Sequence, residues 1–193
     1  MNDQELIEGL KQNQQAAFRL LVERYQEMVV SVCFQFLQNI DDAYDIAQEV
    51  FIEVYKSIHR FRQDSAISTW LYRIAVNKSL NQIKKNKYRK QSFSLERSFL
   101  PELKDENLIE PEFTNQSEKE AEYSERVKLL YEAIESLPAN QNIAFTLHKL
   151  NKLSYKEVSE VMEVSLSSVE SLIHRAKKNL QKYLVQRIEK RIN

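Results

Sequence analysis

A row of polar side chains runs along the segment that follows Ser68. In an α-helix its members would share one stripe, because they are separated by four, four and three residues: Arg73, Asn77, Asn81 and Lys84. Amide side chains present both a donor and an acceptor to the edge of a base, and lysines bind phosphates. The stripe therefore indicates contact with a nucleic acid whose bases are exposed, although an ordinary solvated helix face has a similar composition.

The other faces of this segment are apolar and predict a helix that is held in a bundle. They carry Trp70, Leu71, Ile74, Ala75, Val76, Leu80 and Ile83. An indole next to a nucleic-acid surface can be interpreted as a platform on which bases stack. We instead expect Trp70 and Leu71 to belong to the core, on the apolar side of the helix.

Composition predicts an all-α protein. The chain has 193 residues, with a single glycine, Gly9, and three prolines. So few helix breakers, combined with apolar residues at helical spacing, favour helices throughout, in one domain or two small ones. Phosphate-binding loops of the GxxxxGK and GxGxxG kinds need several glycines in one turn, so nucleotide-dependent enzymes of those classes are excluded.

Cysteine and histidine give no sign of a metal or redox site. Cys33 is the only cysteine and lies in an apolar run, which predicts a buried thiol. The three histidines lack the close spacing of a metal pair, so we expect neither a metal nor a cofactor. The apolar runs are too short for a membrane span and the N-terminus is acidic, so we expect a soluble, cytoplasmic protein without membrane insertion.

Charge is balanced overall but unevenly distributed. The chain has 28 basic and 28 acidic residues. The stretch 84–90 holds five cations and no acid, and the stretch 175–191 holds seven cations and one acid. Between them, 96–122 holds nine acids and three cations. Two basic zones on either side of an acidic middle favour two nucleic-acid contacts despite the zero net charge.

Residues 1–90 predict a helical bundle. A short first helix ends near Leu10, and apolar residues at helical spacing predict a long second helix over 17–37. The next residues, 39–42, form a turn that can cap a third helix, which we expect to reach about residue 59. After a break, Ser68 or Thr69 can cap the helix that carries the polar stripe.

The segment 91–122 predicts an acidic, flexible linker. It contains two of the three prolines, few apolar residues and no periodicity. Helical spacing resumes at about residue 120, and Pro138 separates two further helices. We therefore divide the chain into a first domain over 1–90, the linker, and a second domain over 123–193.

The second domain contains a helix-turn-helix pattern. Ser154 and Glu157 form a capping box ahead of a short helix, and 163–165 form a turn. The next helix has a buried stripe, predicted from its spacing, of Val169, Ile173, Ala176 and Leu180. Its opposite face is polar and cationic: Ser167, Ser168, Ser171, His174, Arg175 and Lys178. Such a pair of helices favours entry into a DNA major groove, although helical hairpins without this function are common.

Three motifs in this order resemble the bacterial RNA polymerase sigma factors of the extracytoplasmic-function (ECF) group. They are Asp-Ala-Tyr-Asp-Ile-Ala-Gln-Glu-Val-Phe over 42–51, Ser-Thr-Trp-Leu-Tyr-Arg-Ile-Ala-Val-Asn over 68–77, and Leu-Ser-Tyr-Lys-Glu-Val over 153–158 with His-Arg-Ala-Lys over 174–177. The resemblance covers nearly the whole chain. It implies a non-enzymatic factor that binds core RNA polymerase, directs it to specific promoters and supports promoter melting.

The resemblance also assigns residues in the first domain. An acidic-polar row on the third helix would dock on the clamp helices of the largest polymerase subunit: Asp42, Asp45, Gln48 and Glu49. Without the resemblance, an ordinary solvated face would be the favoured interpretation of this row. The break and the stripe helix would bind the melted non-template strand of the minus-ten element, where a flipped base enters a loop pocket. The residues expected there are Arg62, Ser65, Arg73, Asn77, Asn81, Lys84, Lys85 and Lys87.

The helix-turn-helix would bind the duplex minus-thirty-five element. Its expected contacts are Ser167, Ser168, Glu170, Ser171, His174, Arg175 and Lys178. Where the family usually has Gly-Thr-Val-Lys/Arg-Ser-Arg, this chain has Ser-Ser-Val-Glu-Ser-Leu over 167–172, and Glu163 replaces the glycine of the turn. Glu170 would repel phosphates or accept from a cytosine amino group, and we expect it in the first turn of its helix, where negative charge is favourable. An anti-sigma factor is a further partner implied by the resemblance.

Three other classes of protein compete with this interpretation. A stand-alone helix-turn-helix regulator leaves 42–77 unexplained and would need a dimer interface. An enzyme would need a nucleophile with its base, a metal set or a phosphate loop, and the sequence indicates none of these. A helical adaptor that binds only protein leaves both basic zones without a role.

Overall fold

The computed structural model describes residues 2–97 and 118–192, with side chains over 2–87, 125–187 and 189. These residues form eight α-helices and no strand, which confirms the all-α prediction. The helices are α1 (Asp3–Lys11), α2 (Gln15–Leu37), α3 (Ile40–Ser57), α4 (Ile67–Arg97), α5 (Glu118–Glu135), α6 (Ala139–Phe145), α7 (Tyr155–Met162) and α8 (Leu166–Ile192).

Helices α1–α4 form the first body, in which α2 packs against each of the other three. Asn2 begins α1 with a capping box, and the Asn39 side chain accepts from the Asp42 backbone N–H to begin α3, as the turn predicted. Gly9 is required where α1 meets α2, because a β-carbon there would lie 2.8 Å from the Ala17 β-carbon. Cys33 is fully buried in α2, as predicted.

The connection between α3 and α4 is built on an aromatic pair. After α3, a 3-10 turn over Ile58–Arg60 leads to Phe61, whose ring stacks on Trp70 at a centroid distance of 4.9 Å. The predicted cap at Ser68 or Thr69 is wrong: α4 already begins at Ile67, and the Trp70 N–H donates to the Ala66 carbonyl. Thr69 is buried, so its side chain packs within the first turn of α4 and does not cap the start of the helix.

Helices α5–α8 form the second body. The helix predicted over 139–150 is α6 followed by a π-helical turn over Thr146–Leu150. The capping box predicted for α7 is present, since the Ser154 side chain accepts from the Glu157 N–H and the Glu157 carboxylate accepts from the Ser154 N–H. Glu163 then ends α7 in the left-handed conformation, with φ 55°. This turn leads directly into α8, which packs against α7.

The ends of the predicted linker are helical where the structure describes them. Helix α4 runs to Arg97, beyond the boundary expected at 90, and α5 begins at Glu118, before the boundary expected at 123. The middle of the predicted linker lies outside the described residues. The two bodies contact each other, with α4 packed against α7 and with Leu147, Val158 and Ile173 joining the apolar core of the first body.

Candidate nucleic-acid interfaces

The polar stripe on α4 is accessible along most of its length. Asn77, Asn81 and Lys84 are exposed, as are the two further lysines of this helix end, Lys85 and Lys87. A stripe of two amides that ends in three cations combines groups for base edges with groups for phosphates. The helix therefore presents the chemistry that the sequence indicated.

Arg73 differs from the rest of the stripe. It is half-buried, and one guanidinium nitrogen donates to the Glu163 carboxylate at 2.5 Å. Glu163 belongs to the second body, at the turn between α7 and α8. No pattern in the sequence indicates this pair, because the two residues are 90 positions apart.

The apolar faces of α4 hold the stripe in place. Trp70, Leu71, Ala75 and Val76 are buried, while Ile74, Leu80 and Ile83 are half-buried. The expectation that Trp70 and Leu71 belong to the core is therefore confirmed. Next to the stripe, the loop places Arg62 in solvent and leaves Ser65 half-buried.

A buried thiol lies beneath α4. Burial raises the pKa of the Cys33 thiol to about 11. The neighbouring Ser79 hydroxyl is also buried and has no hydrogen-bond partner among the described residues. Because the thiolate is the reactive form, this cysteine is a packing residue and not a nucleophile.

Helix α8 presents the predicted recognition face to solvent. Val169, Ile173, Ala176 and Leu180 are buried, as predicted. All seven predicted DNA-contacting residues are exposed: Ser167, Ser168, Glu170, Ser171, His174, Arg175 and Lys178. An exposed row of short hydroxyls followed by cations suits a groove floor and its flanking phosphates.

Local hydrogen bonds organise the start of α8. The Ser165 hydroxyl lies 2.8 Å from the Ser168 hydroxyl and 3.1 Å from that of Ser167. Further along, Arg175 Nε donates to the Ser171 carbonyl at 3.2 Å. That bond directs the Arg175 side chain back along the helix toward its N-terminal end, where the predicted contact residues Ser167, Ser168 and Ser171 lie.

The expectation that Glu170 lies in the first turn of its helix is wrong. Helix α8 begins at Leu166, one residue after the Ser165 cap, and its first turn contains no acid. Glu170 therefore lies at the start of the second turn, where the favourable effect of the helix dipole on a negative charge has weakened. Helix electrostatics do not account well for a carboxylate at this position.

Two amide hydrogen bonds join the helices that surround α8. Asn179 of α8 donates to the Gln141 side chain of α6 at 2.8 Å, and Asn142 donates to the Ile134 carbonyl of α5 at 2.8 Å. His148 contacts the Leu153 carbonyl through Nδ1 at 2.8 Å and meets the Tyr155 ring edge-on. These bonds connect α5, α6 and the approach to α7, so α8 is supported by the whole second body.

The acidic-polar row on α3 lies between two different neighbours. Asp45, Gln48 and Glu49 are exposed and Asp42 is half-buried. On one side of the row, Lys78 of α4 pairs with Glu49 at 3.3 Å. On the other side, Gln48 lines a groove between α2 and α3.

That groove is an apolar feature beside the row and was not predicted. It has a volume of about 640 Å³ and is lined by Tyr44, Phe34 and Phe51, among others. Ile40 and Tyr44 at its edge are about half-exposed, which is unusual for large apolar side chains in a neighbouring pair. A signal was available in the sequence, since Ile40 and Tyr44 are four residues apart on α3 beside the acidic row.

Within the described residues, no three histidine, cysteine, aspartate or glutamate side chains come together as a metal site. None of the helices described is both long enough and apolar enough to cross a membrane.

Comparison with known proteins identifies the family. The Sigma-70 region 2 family matches residues 21–89, and the Sigma-70 region 4 family matches residues 128–180. The ECF RNA polymerase sigma-E factor of Escherichia coli is 35% identical over 181 residues, which cover 92% of this chain and 91% of that protein. The RNA polymerase sigma-H factor of Pseudomonas aeruginosa is 32% identical over 94% of this chain and 93% of that protein.

Solved structures show the same fold. A structure of CnrH in complex with the cytosolic domain of CnrY has a TM-score of 0.67 and 21% identity, and the match covers 95% of this chain and 97% of that one. The sigma factor RpoE of Bartonella quintana, solved with the anti-sigma factor NepR, has a TM-score of 0.61 and 18% identity, over 86% of this chain and 96% of that one. The chain belongs to the sigma-70 family, as an ECF sigma factor that directs RNA polymerase to promoters.

Proposed function

We propose that the two bodies divide promoter recognition between them, in the cytoplasm and without catalysis of their own. The chemistry of transcription then belongs to the polymerase. The first body, including 1–90, binds polymerase and the melted minus-ten strand, and the second, within 123–193, binds the duplex minus-thirty-five element. The observation that supports this division is that each body exposes one polar and cationic helix face, on α4 and on α8, opposite a buried apolar one.

On α4 we assign separate roles to amides and lysines. Asn77 and Asn81 would contact base edges of the single strand, because an amide can both donate and accept. Lys84, Lys85 and Lys87 would contact phosphates. Arg62 and Ser65 flank the loop in which a flipped base would be held, and Arg73 would contact the strand once it is released from Glu163.

This assignment is tested by fluorescence anisotropy with the full-length protein and labelled minus-ten oligonucleotides. We expect tighter binding to the non-template single strand than to matched duplex, because stacked bases hide the edges that the amides contact. Three lysine–phosphate contacts predict a slope of log affinity against log salt of roughly −2. Equal affinity for single strand and duplex would contradict the assignment.

Two variants separate sequence preference from general affinity. Asn77→Ala should reduce the difference between matched and scrambled strands. Lys85→Ala should weaken both strands alike and reduce the salt slope by about 0.7, the value for one phosphate contact on a single strand. If Lys85→Ala changed the preferred sequence instead, the division between amides and lysines would be wrong.

On α3 we propose docking to core polymerase. Asp42, Asp45, Gln48 and Glu49 would form the polar part of this surface, and the groove beside Gln48 would add apolar area. A polar rim beside an apolar centre is the usual composition of a protein–protein interface. Transcription reconstituted from core polymerase and this chain, with the start sites sequenced, tests the function as a whole.

We also propose that an anti-sigma factor binds this chain. The support is the relatedness to sigma factors, one of which was solved with an anti-sigma factor. Co-purification from the native host in the absence and presence of envelope stress tests the proposal. Recovery of polymerase alone under both conditions would contradict it.

A further inference from the structure

The two bodies are joined by polar contacts between side chains that are far apart in the sequence. Arg73 of α4 donates to Glu163 at 2.5 Å, and Asn151 Nδ2 donates to Gln35 Oε1 at 2.5 Å. Helix α4 packs against α7, and burial, with the nearby Glu157 carboxylate, raises the pKa of Tyr72 on α4. The chain is therefore closed, with the second body on the first.

The closed arrangement brings the two proposed DNA-binding faces too close for one promoter. The two promoter elements lie about two helical turns apart, which is roughly 70 Å of B-DNA. Glu163 touches Arg73, and the recognition segment Ser167–Lys178 starts four residues after Glu163, so all of it lies within roughly 35 Å of Arg73. Simultaneous binding of both elements therefore requires the bodies to separate.

The residue at the centre of this contact is not explained by the turn that it occupies. Glu163 has a φ of 55°, a conformation that glycine adopts most easily and that other residues adopt at some cost. Four other non-glycine residues of the described chain adopt the same conformation, so the backbone does not set Glu163 apart. What the glutamate adds is a carboxylate placed on Arg73.

We propose that Glu163 is a latch that stabilises the closed form of the free factor by occupying Arg73. The proposal rests on the proposed function for the assignment of Arg73 to the minus-ten surface and of α8 to the minus-thirty-five surface. The pair is accessible to solvent, since the Arg73 and Glu163 side chains are 36% and 70% exposed. Accessible ion pairs shift an equilibrium by about fivefold at most, so the latch adjusts the fraction of open molecules while the packing of α4 on α7 provides most of the closure.

The open fraction can be counted by single-molecule fluorescence energy transfer. One dye is placed at Glu23→Cys on α2 and the other at Lys182→Cys on α8, both exposed positions; Cys33 is buried and should not compete for dye. Glu163→Gln removes the charge but keeps the length of the side chain. We expect the ratio of open to closed molecules to rise about two- to fivefold, with a smaller rise at high salt, where the pair is screened.

Matched variants test whether the charge pair is responsible. Glu160→Gln makes the same change one turn earlier on α7 and should leave the ratio unchanged. Arg73→Glu should open the chain, and the combination Arg73→Glu with Glu163→Arg should close it again. The latch would be overturned if Glu163→Gln and Glu160→Gln had equal open fractions. It would also be overturned if the charge-swapped double variant stayed open.

A cross-linked form tests whether the closed arrangement prevents promoter use. Gln35→Cys and Asn151→Cys are joined by a short bismaleimide, and each single variant treated with the same reagent is the control. We expect the cross-linked protein to lose most promoter-specific transcription with core polymerase and the controls to keep it. Full activity after cross-linking would overturn the role of closure, whereas inactive controls and wild type would instead contradict the proposed function.

Discussion

Glu170 is the residue at which this chain departs most clearly from the recognition helix of its family. It is exposed on α8 among the proposed minus-thirty-five contacts, and it lies beyond the first helical turn. A carboxylate on this face repels phosphates unless it accepts a hydrogen bond from a cytosine amino group. Duplex binding should therefore be weaker than is usual for the family, with Arg175 and Lys178 providing more of it.

The test is Glu170→Lys with the holoenzyme on a library randomised across the upstream element. We expect tighter binding to all sequences, a steeper salt dependence and a changed base preference near this position. Glu189→Lys is the matched control, because it makes the same charge change on the same helix about 28 Å away. Glu170 would face solvent without a role if the two variants behaved alike.

Cys33 should be almost unreactive in the folded protein. Its thiol is fully buried and its pKa is raised to about 11. Because the folded pKa lies above the ordinary thiol value of 9.0, this residue's contribution to stability is fully present below that value and is lost as pH rises toward 11. Labelling with a thiol reagent at pH 8 should be slow in buffer and complete within the mixing time in denaturant. Fast labelling of the native protein would mean that α2 opens locally.

At the scale of helices, the start of α7 depends on a reciprocal cap. Ser154 accepts from the Glu157 N–H, and the Glu157 carboxylate accepts from the Ser154 N–H and hydroxyl, which lowers the pKa of Glu157. Ser154→Ala should reduce the free energy of unfolding by about 1 kcal/mol, measured by urea denaturation.

The same cap makes a pH-dependent contribution. A lowered folded pKa means that the stabilisation is present above the unfolded pKa of Glu157, near 4.5, and is lost as pH falls through the folded pKa. The difference between wild type and Ser154→Ala should therefore be largest at neutral pH and shrink under acid conditions. Ser31→Ala, in the interior of α2, is a control that should show little loss at any pH.

Helices were predictable from the sequence where local rules decide. The caps at Asn39 and Ser154 and the apolar spacing of α8 each act within a few residues, and all three were confirmed. The start of α4 was predicted wrongly. Phe61 packs on Trp70, and this contact orders the chain on the N-terminal side of Ser68 and Thr69, the residues with capping propensity. Tertiary contact overrode local preference there.

The contacts that connect elements could not be predicted. Lys78 with Glu49, Arg73 with Glu163 and the groove beside Gln48 all depend on which helix faces lie against each other. A single sequence carries no spacing rule for pairs 29 or 90 residues apart. The exposed residues of the candidate sites followed from helical periodicity, whereas their partners required the fold.

At the scale of the whole molecule, the affinity for polymerase should depend on Glu49. This residue is exposed on α3 and also pairs with Lys78 of α4 at 3.3 Å, so a substitution can act on binding or on the packing of the first body. Glu49→Lys should lower core-polymerase affinity by roughly fivefold or more, the equivalent of about 1 kcal/mol, because it reverses a charge in the proposed docking row. Competition against a labelled sigma factor measures this change.

Lys78→Met separates the two effects, since it breaks the same ion pair but leaves the Glu49 carboxylate in place. If Glu49 contacts polymerase, Lys78→Met should keep or slightly raise the affinity, because the carboxylate no longer has an internal partner, while circular dichroism stays helical for both variants. If Glu49 only holds α3 against α4, the two variants should lose thermal stability and affinity together. That parallel loss would remove Glu49 from the polymerase interface and would leave Asp45 and Gln48 to be tested in the same way.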